Sequence, residues 1–270
     1  MKDDIIVFDI ETKKDFAEVG GRENLALLEV SVLCAYSYLK NKFYSFEEKD
    51  LKHFVTMLES AGKVVGFNIK GFDLPVLQPY CSLNLSLLPV LDLMDDVIKG
   101  AGFRISLDNL CSSTLGAKKS ANGLDAVKWF REGKINEIKK YCTDDVKLTR
   151  DLYEYGKKNN YIIYFSRDLM DRAAIPVSWG EGITLSIPQI LKNGFENRFR
   201  VEIDYLADPK QSPAKKSTYL VDIQKIGNNF FEGYCNLLKG RKIFKTDQVL
   251  GARITSKPYR LEEDAQKTLL

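Results

Sequence analysis

The sequence predicts an α/β fold in which strands and helices alternate as far as residue 180, followed by a small β-barrel over 181–258 and a C-terminal tail, 259–270. Three observations predict it. Ile5-Ile6-Val7-Phe8-Asp9-Ile10-Glu11-Thr12 is an apolar, β-branched run fit for the middle of a sheet. Amphipathic helical patterns separate it from later strand-like runs. From Trp179-Gly180-Glu181-Gly182 and Pro188 onward, one short helical stretch is followed only by short strands with tight turns.

The first strand carries two carboxylates. Side chains alternate along a strand, so Asp9 and Glu11 share one face while Phe8 and Ile10 take the other. Two buried acids on one patch are costly unless a positive charge sits between them, and a hard divalent cation such as Mg²⁺ meets that need. An edge strand whose end reaches solvent is the plainer alternative. Val30 to Leu39 and Lys42 to Phe46 read as strands around a Lys40-Asn41 turn, and Asp50 to Ser60 as a helix with Asp50 as N-cap. Lys63 to Asn68 is a short buried strand that runs into Gly71-Phe72-Asp73-Leu74-Pro75-Val76-Leu77. Asp73 is either an N-cap, with proline in the first turn, or a third acid near the first pair. Asn68 either hydrogen-bonds a nucleotide or holds the turn.

Leu91 to Val97 is a strand end followed by a helix, and the spacing of Asp92 favours a local structural role over metal ligation. Ser106 starts a helix to Leu115, and Lys118-Lys119-Ser120 is a small basic turn. Two helices follow, Gly123 to Gly133 and Ile135 to Gly156. In the second, Tyr141 and Asp145 are four residues apart and share a face that Leu148 and Leu152 carry inward. An aspartate on a buried helix face needs a partner.

Composition narrows the chemistry. At 270 residues, 44% hydrophobic and 29% charged, the chain has room for one large domain or a medium and a small one. No apolar run is long enough to span a bilayer and the N-terminus has no signal-peptide pattern, so a cytoplasmic protein with no membrane partner is expected. Five scattered cysteines, with no CxxC pair, point to reduced structural thiols rather than a disulfide framework or a zinc site. The single histidine, His53, lies on an exposed-looking helix without a suitable partner, which argues against histidine acid/base chemistry. Residues 195–270 hold 14 Lys and Arg against 10 Asp and Glu, a modest basic excess that fits polyanion binding.

Together the pieces resemble the DEDD superfamily of metal-dependent 3′→5′ exonucleases, in its tyrosine form, which has the ribonuclease H-like fold. Phe8-Asp9-Ile10-Glu11-Thr12 matches its first motif, Gly66-Phe67-Asn68 through Asp73 its second, and Tyr141 with Asp145 its third. Gly123-Leu124-Asp125-Ala126-Val127 through Tyr141-Cys142, the run to Gly156, and Tyr161 through Pro176-Val177-Ser178-Trp179 are similar to a bacterial subgroup often associated with helicases. The resemblance implies a mixed sheet with flanking helices and nucleic acid as substrate, as single-stranded 3′ ends. It also implies a helicase or other DNA-processing partner. Asp9 would bridge two Mg²⁺ or Mn²⁺ ions about 3.5–4 Å apart, Glu11 and Asp145 would complete one site, and Asp73 would serve the other. Tyr141 would orient the attacking water, and Thr12 and Asn68 would contact nucleic acid. A non-catalytic nucleic-acid-binding regulator, or a subunit active only on its helicase, is the alternative.

The C-terminal strands resemble the WYL domain, a small SH3- or Sm-like β-barrel that binds nucleic acid or nucleotide ligands. Val201-Glu202-Ile203-Asp204-Tyr205, Asn229 to Cys235 and Arg241 to Val249 carry the likeness. Phe230-Phe231-Glu232 stands where that family has Trp-Tyr-Leu, and Gln248-Val249 replaces its Arg-Ile. Tyr205, Arg241, Lys242 and Lys245 are the candidates for a polyanion contact by stacking and charge; aromatics in the core with a solvated cationic rim are the alternative.

Overall fold

The computed structural model describes residues 4–117, 123–167, 170–180, 186–206 and 216–260. The expected basic turn Lys118-Lys119-Ser120, most of the Asp208–Ser217 loop and nearly all of the C-terminal tail lie outside them. The chain divides into two compact units at 153/154. That boundary falls ahead of the composition change at 179–188.

In the first unit, β1 (Asp4–Thr12), β2 (Val30–Ser37), β3 (Lys42–Glu47), β4 (Ala61–Gly66) and β5 (Val90–Asp92) form a mixed sheet in the order β3-β2-β1-β4-β5. β1 runs antiparallel to β2 and parallel to β4, so it stands where the sheet changes sense. The helices are α1 (Leu51–Ser60), α2 (Asp73–Leu77), α3 (Leu93–Ala101), α4 (Leu107–Leu115), α5 (Gly123–Arg131) and α6 (Ile135–Asn159). The alternation expected of β1 is realised. Ile6, Phe8 and Ile10 sink into a core with Phe54 and Leu58 of α1, while Asp9 and Glu11 turn to the opposite face.

Local details follow the chemistry of each turn. Ser106 caps α4 by accepting the Asn109 amide at 3.2 Å. Asp50 does not cap α1: a 3₁₀ turn over Glu48–Asp50 leads straight into the helix, and no side chain closes its start. Asp92 ends β5 and caps α3, accepting from the Met94 amide at 3.0 Å. It also accepts from the amides of Asn68 at 2.7 Å and Lys70 at 2.9 Å, which is the structural role expected of it.

The second unit opens with a hairpin that the sequence pattern did not single out as strands, β6 (Tyr161–Ser166) and β7 (Asp171–Pro176). Then come α7 (Ile187–Glu196), β8 (Phe199–Leu206), β9 (Lys216–Ile226), β10 (Phe230–Cys235), β11 (Gly240–Lys245) and β12 (Val249–Pro258). Gln189 Oε1 accepts the Ser186 amide at 2.9 Å, fixing the start of α7. The five later strands form an antiparallel sheet in the order β11-β10-β9-β8-β12. Strict alternation sends Phe199, Val201, Ile203 and Tyr205 of β8 inward. Among the described residues β11 and β12 do not pair, so the expected barrel is not closed through its backbone. A three-residue 3₁₀ turn joins these strands, and Phe244 and Val249 on either side of it enter one common core. No helix among the described residues is long and apolar enough to cross a membrane.

Candidate active site

The site lies at the carboxyl ends of the parallel pair β1 and β4, where open α/β sheets place their ligands. A β-bulge between Glu11 and Thr12 ends the β1–β2 ladder. Bulges of this kind re-aim side chains at the rim of a sheet. One carboxylate atom each from Asp9, Glu11 and Asp145 lie within 4.8 Å of one another. Asp145 thus finds the partner its buried helix face required. Three acid groups this close repel one another unless cation charge or protons intervene, and the donor set, all hard oxygen, fits Mg²⁺ or Mn²⁺.

Asp73 stands beside this trio rather than in it. It is the first residue of α2, 2% exposed, and its Oδ1 accepts the Ile10 amide at 2.9 Å. The carboxylate therefore reaches across to the strand that carries Asp9 and Glu11 instead of capping its own helix. Tyr141 is buried on α6, edge-on to Trp129 of α5 with ring centroids 6.2 Å apart. Burial, reinforced by the charges of Asp145, Glu11 and Asp9, raises its phenol far above the ordinary tyrosine value. One residue on, burial also raises the Cys142 thiol, and its Sγ donates to the Asp9 carbonyl at 3.4 Å. That contact ties α6 to β1.

These groups line a cleft of about 640 Å³. Thr12 and Asn68 belong to it, although the Thr12 hydroxyl is engaged with the Lys14 carbonyl at 2.8 Å. Asn68 has φ 66°, a left-handed conformation that asparagine tolerates. Its Oδ1 accepts from Arg104 Nη2 at 2.6 Å. Gly71 packs against this amide, since a Cβ there would lie 2.8 Å from Asn68 Oδ1. Sequence reasoning missed Phe16 and Phe72, an edge-to-face pair with centroids 6.0 Å apart on one wall, and it missed Arg104. Phe72 was open to detection as the neighbour of Asp73; Phe16 and Arg104 carried no motif.

The second unit distributes its candidates differently. Tyr205 is a correction: it is 5% exposed, its ring packs on Tyr219 and Phe244, and its hydroxyl donates to Gln248 at 2.5 Å while accepting the Lys245 amide at 3.1 Å. Both faces of the ring and its polar tip serve the fold, so it offers no stacking platform. Lys242 is half-buried, with its ammonium 4.6 Å from the Tyr219 ring centre, and Arg241 and Lys245 are exposed on the same strand.

No curated protein gives a significant match to the chain. Among solved structures, proteasome accessory factor B/C of Arthrobacter aurescens aligns with 50% of this chain and 31% of its own, at 8% identity and a TM-score of 0.24. The chain thus spans about a third of that factor's length. A chain from the simian T-cell lymphotropic virus intasome in complex with PP2A regulatory subunit B56 gamma aligns over 94% of this chain and 82% of its own, at 9% identity and a TM-score of 0.20. Likeness that slight carries no argument. A family model described as RNase_H superfamily matches residues 6–156, more than half of the chain and the whole of the acidic cleft's catalytic candidates. Both this match and the mixed sheet with its acids at the carboxyl ends of β1 and β4 lead to one conclusion: the chain belongs to the RNase H superfamily.

Proposed function

We propose that the chain is a metal-dependent 3′→5′ exonuclease of the DEDD type, hydrolysing phosphodiester bonds of DNA or RNA from the 3′ end. The observation that carries this reading is the convergence of Asp9, Glu11 and Asp145 in a cleft that also holds Asp73 and Tyr141. Asp9, Glu11 and Asp145, with Asp73, would hold two Mg²⁺ or Mn²⁺ ions. Such ions supply Lewis-acid polarisation of the phosphate and acidify a water molecule.

The chain's own groups do the positioning. Tyr141, held protonated by burial and by three nearby carboxylates, acts as a hydrogen-bond donor that orients the attacking water, not as a general base. The Ile10 amide fixes Asp73, which keeps its carboxylate in register with the strand between Asp9 and Glu11. Phe16 and Phe72 offer the terminal base an apolar wall for stacking, which tolerates any base. The C-terminal unit, by its likeness to WYL domains, adds a polyanion contact through Arg241, Lys242 and Lys245. Its nucleic-acid partner is a single-stranded 3′ end, supplied by a helicase or another DNA-processing protein.

Time-resolved cleavage of 5′-labelled single-stranded DNA and RNA, with Mg²⁺ or Mn²⁺, tests the reading. A ladder shortening from the 3′ end, lost in EDTA and in Asp9→Ala, is expected. Absence of both cleavage and metal binding in the wild-type chain would overturn it.

A further inference from the structure

The loop between α3 and α4 brings a cation to the cleft that the acidic chemistry does not use. Gly102 ends α3 in a left-handed conformation, φ 85°, and Ser106 opens α4, leaving Arg104 exposed between them. Elsewhere the structure pairs arginines with carboxylates: Arg131 with Glu18, Arg150 with Asp151, Arg200 with Asp222 and Arg253 with Glu202. Among the described residues Arg104 meets no carboxylate, and one N–H goes to the neutral carboxamide of Asn68.

Asn68 is built into place from three sides. Its backbone is left-handed, its amide donates to Asp92 at 2.7 Å, and its side-chain oxygen packs where Gly71 leaves room. With that oxygen occupied by Arg104, the side chain can present only its Nδ2 donors to the cleft. A guanidinium has five N–H donors, and one is spent here. Beside the acids, which suit cations, the molecule therefore sets a group of donors that suits a phosphate or sugar oxygen.

We propose that Arg104 and Asn68 form a clamp on a backbone phosphate of the nucleic-acid strand entering the cleft, with Arg104 the phosphate contact and also the group that orients Asn68. The proposal rests on the nuclease reading and names where the substrate strand is held. A bidentate-capable guanidinium does this better than an ammonium, because it can bond the amide and the phosphate together.

The test uses the full chain. Binding of a labelled single-stranded oligonucleotide is followed by fluorescence anisotropy in Ca²⁺ across about 50–200 mM salt, and steady-state cleavage is followed in Mg²⁺. Wild type is compared with Arg104→Ala, Arg104→Lys, Asn68→Ala and the Ala/Ala double variant, each checked for an unchanged circular dichroism spectrum. Arg104→Ala should raise both Kd and KM roughly tenfold, shift kcat far less, and lower the salt slope by about one. Arg104→Lys should restore the slope but not the full affinity, and the double variant should lose less than the sum of the single losses. Unchanged Kd and salt slope in Arg104→Ala, with wild type binding and cutting normally, would overturn the clamp alone. A wild-type chain that neither binds nor cuts would overturn the clamp and the nuclease reading together.

Discussion

At the scale of single residues, the cleft trades stability for chemistry. Asp9, Glu11 and Asp145 crowd within 4.8 Å of one another, and without a cation their charges oppose folding. Asp145→Asn should therefore raise the thermal midpoint in EDTA, by about 1 kcal/mol in stability, while abolishing activity and the rise in midpoint that Mn²⁺ gives wild type. Calorimetry with and without the ion checks both signs at once. Tyr141 is the opposite case, since it contributes a hydrogen bond and no charge. Tyr141→Phe should keep the Mn²⁺-induced shift yet lower kcat about 10- to 100-fold, as misplacement of a reacting group does. Loss of the Mn²⁺ shift in this variant would mean that the phenol shapes the metal site itself.

At the scale of elements, the turn from β4 to α2 decides whether the acids converge. Asp92 holds that turn by accepting three backbone amides, those of Asn68, Lys70 and Met94. Burial nevertheless leaves its carboxyl above the ordinary aspartate range, so the three bonds only partly offset its desolvation. Asp92→Ala leaves three amides without an acceptor and should cost about 2–4 kcal/mol, read from urea unfolding. Because Asn68 and Asp73 hang on the same turn, activity should fall further than the fraction unfolded accounts for. An activity loss that only tracks unfolding would separate the turn from the site.

At the scale of the whole molecule, buried phenols govern the alkaline limit. Burial raises Tyr141 and Tyr161 well above the usual value, and it pushes Tyr259 up to about 12. The unfolded chain releases these protons near pH 10, the folded chain only higher. Between those values the unfolded state binds fewer protons, so stability present below about pH 10 is lost as pH rises, by up to about 1.4 kcal/mol per pH unit for each group. Denaturant unfolding at successive alkaline pH values, read beside tyrosinate absorbance, should show the midpoint falling as the phenols ionise. Tyrosines that ionise in the folded state near pH 10 would contradict it.

What the sequence by itself determined is whatever depends on local periodicity. The two-residue repeat of β1 set Asp9 and Glu11 on one face, and the four-residue spacing on α6 set Tyr141 and Asp145 on one face. Ser106 declared its cap, and alternation along β8 declared its inward face. Tertiary structure alone decided what depends on residues far apart in the chain. It joined Asp145 to the β1 pair and turned Asp73 away from its own helix toward the Ile10 amide. It carried Arg104 to Asn68, across 36 positions of sequence. It also sank Tyr205 among Tyr219 and Phe244, where an aromatic on an alternating strand had equal claim to either face of the sheet. Short-range geometry follows from bond rotation and can be read along the chain. Which strands become neighbours follows from burying one common core, and no local stretch carries that information.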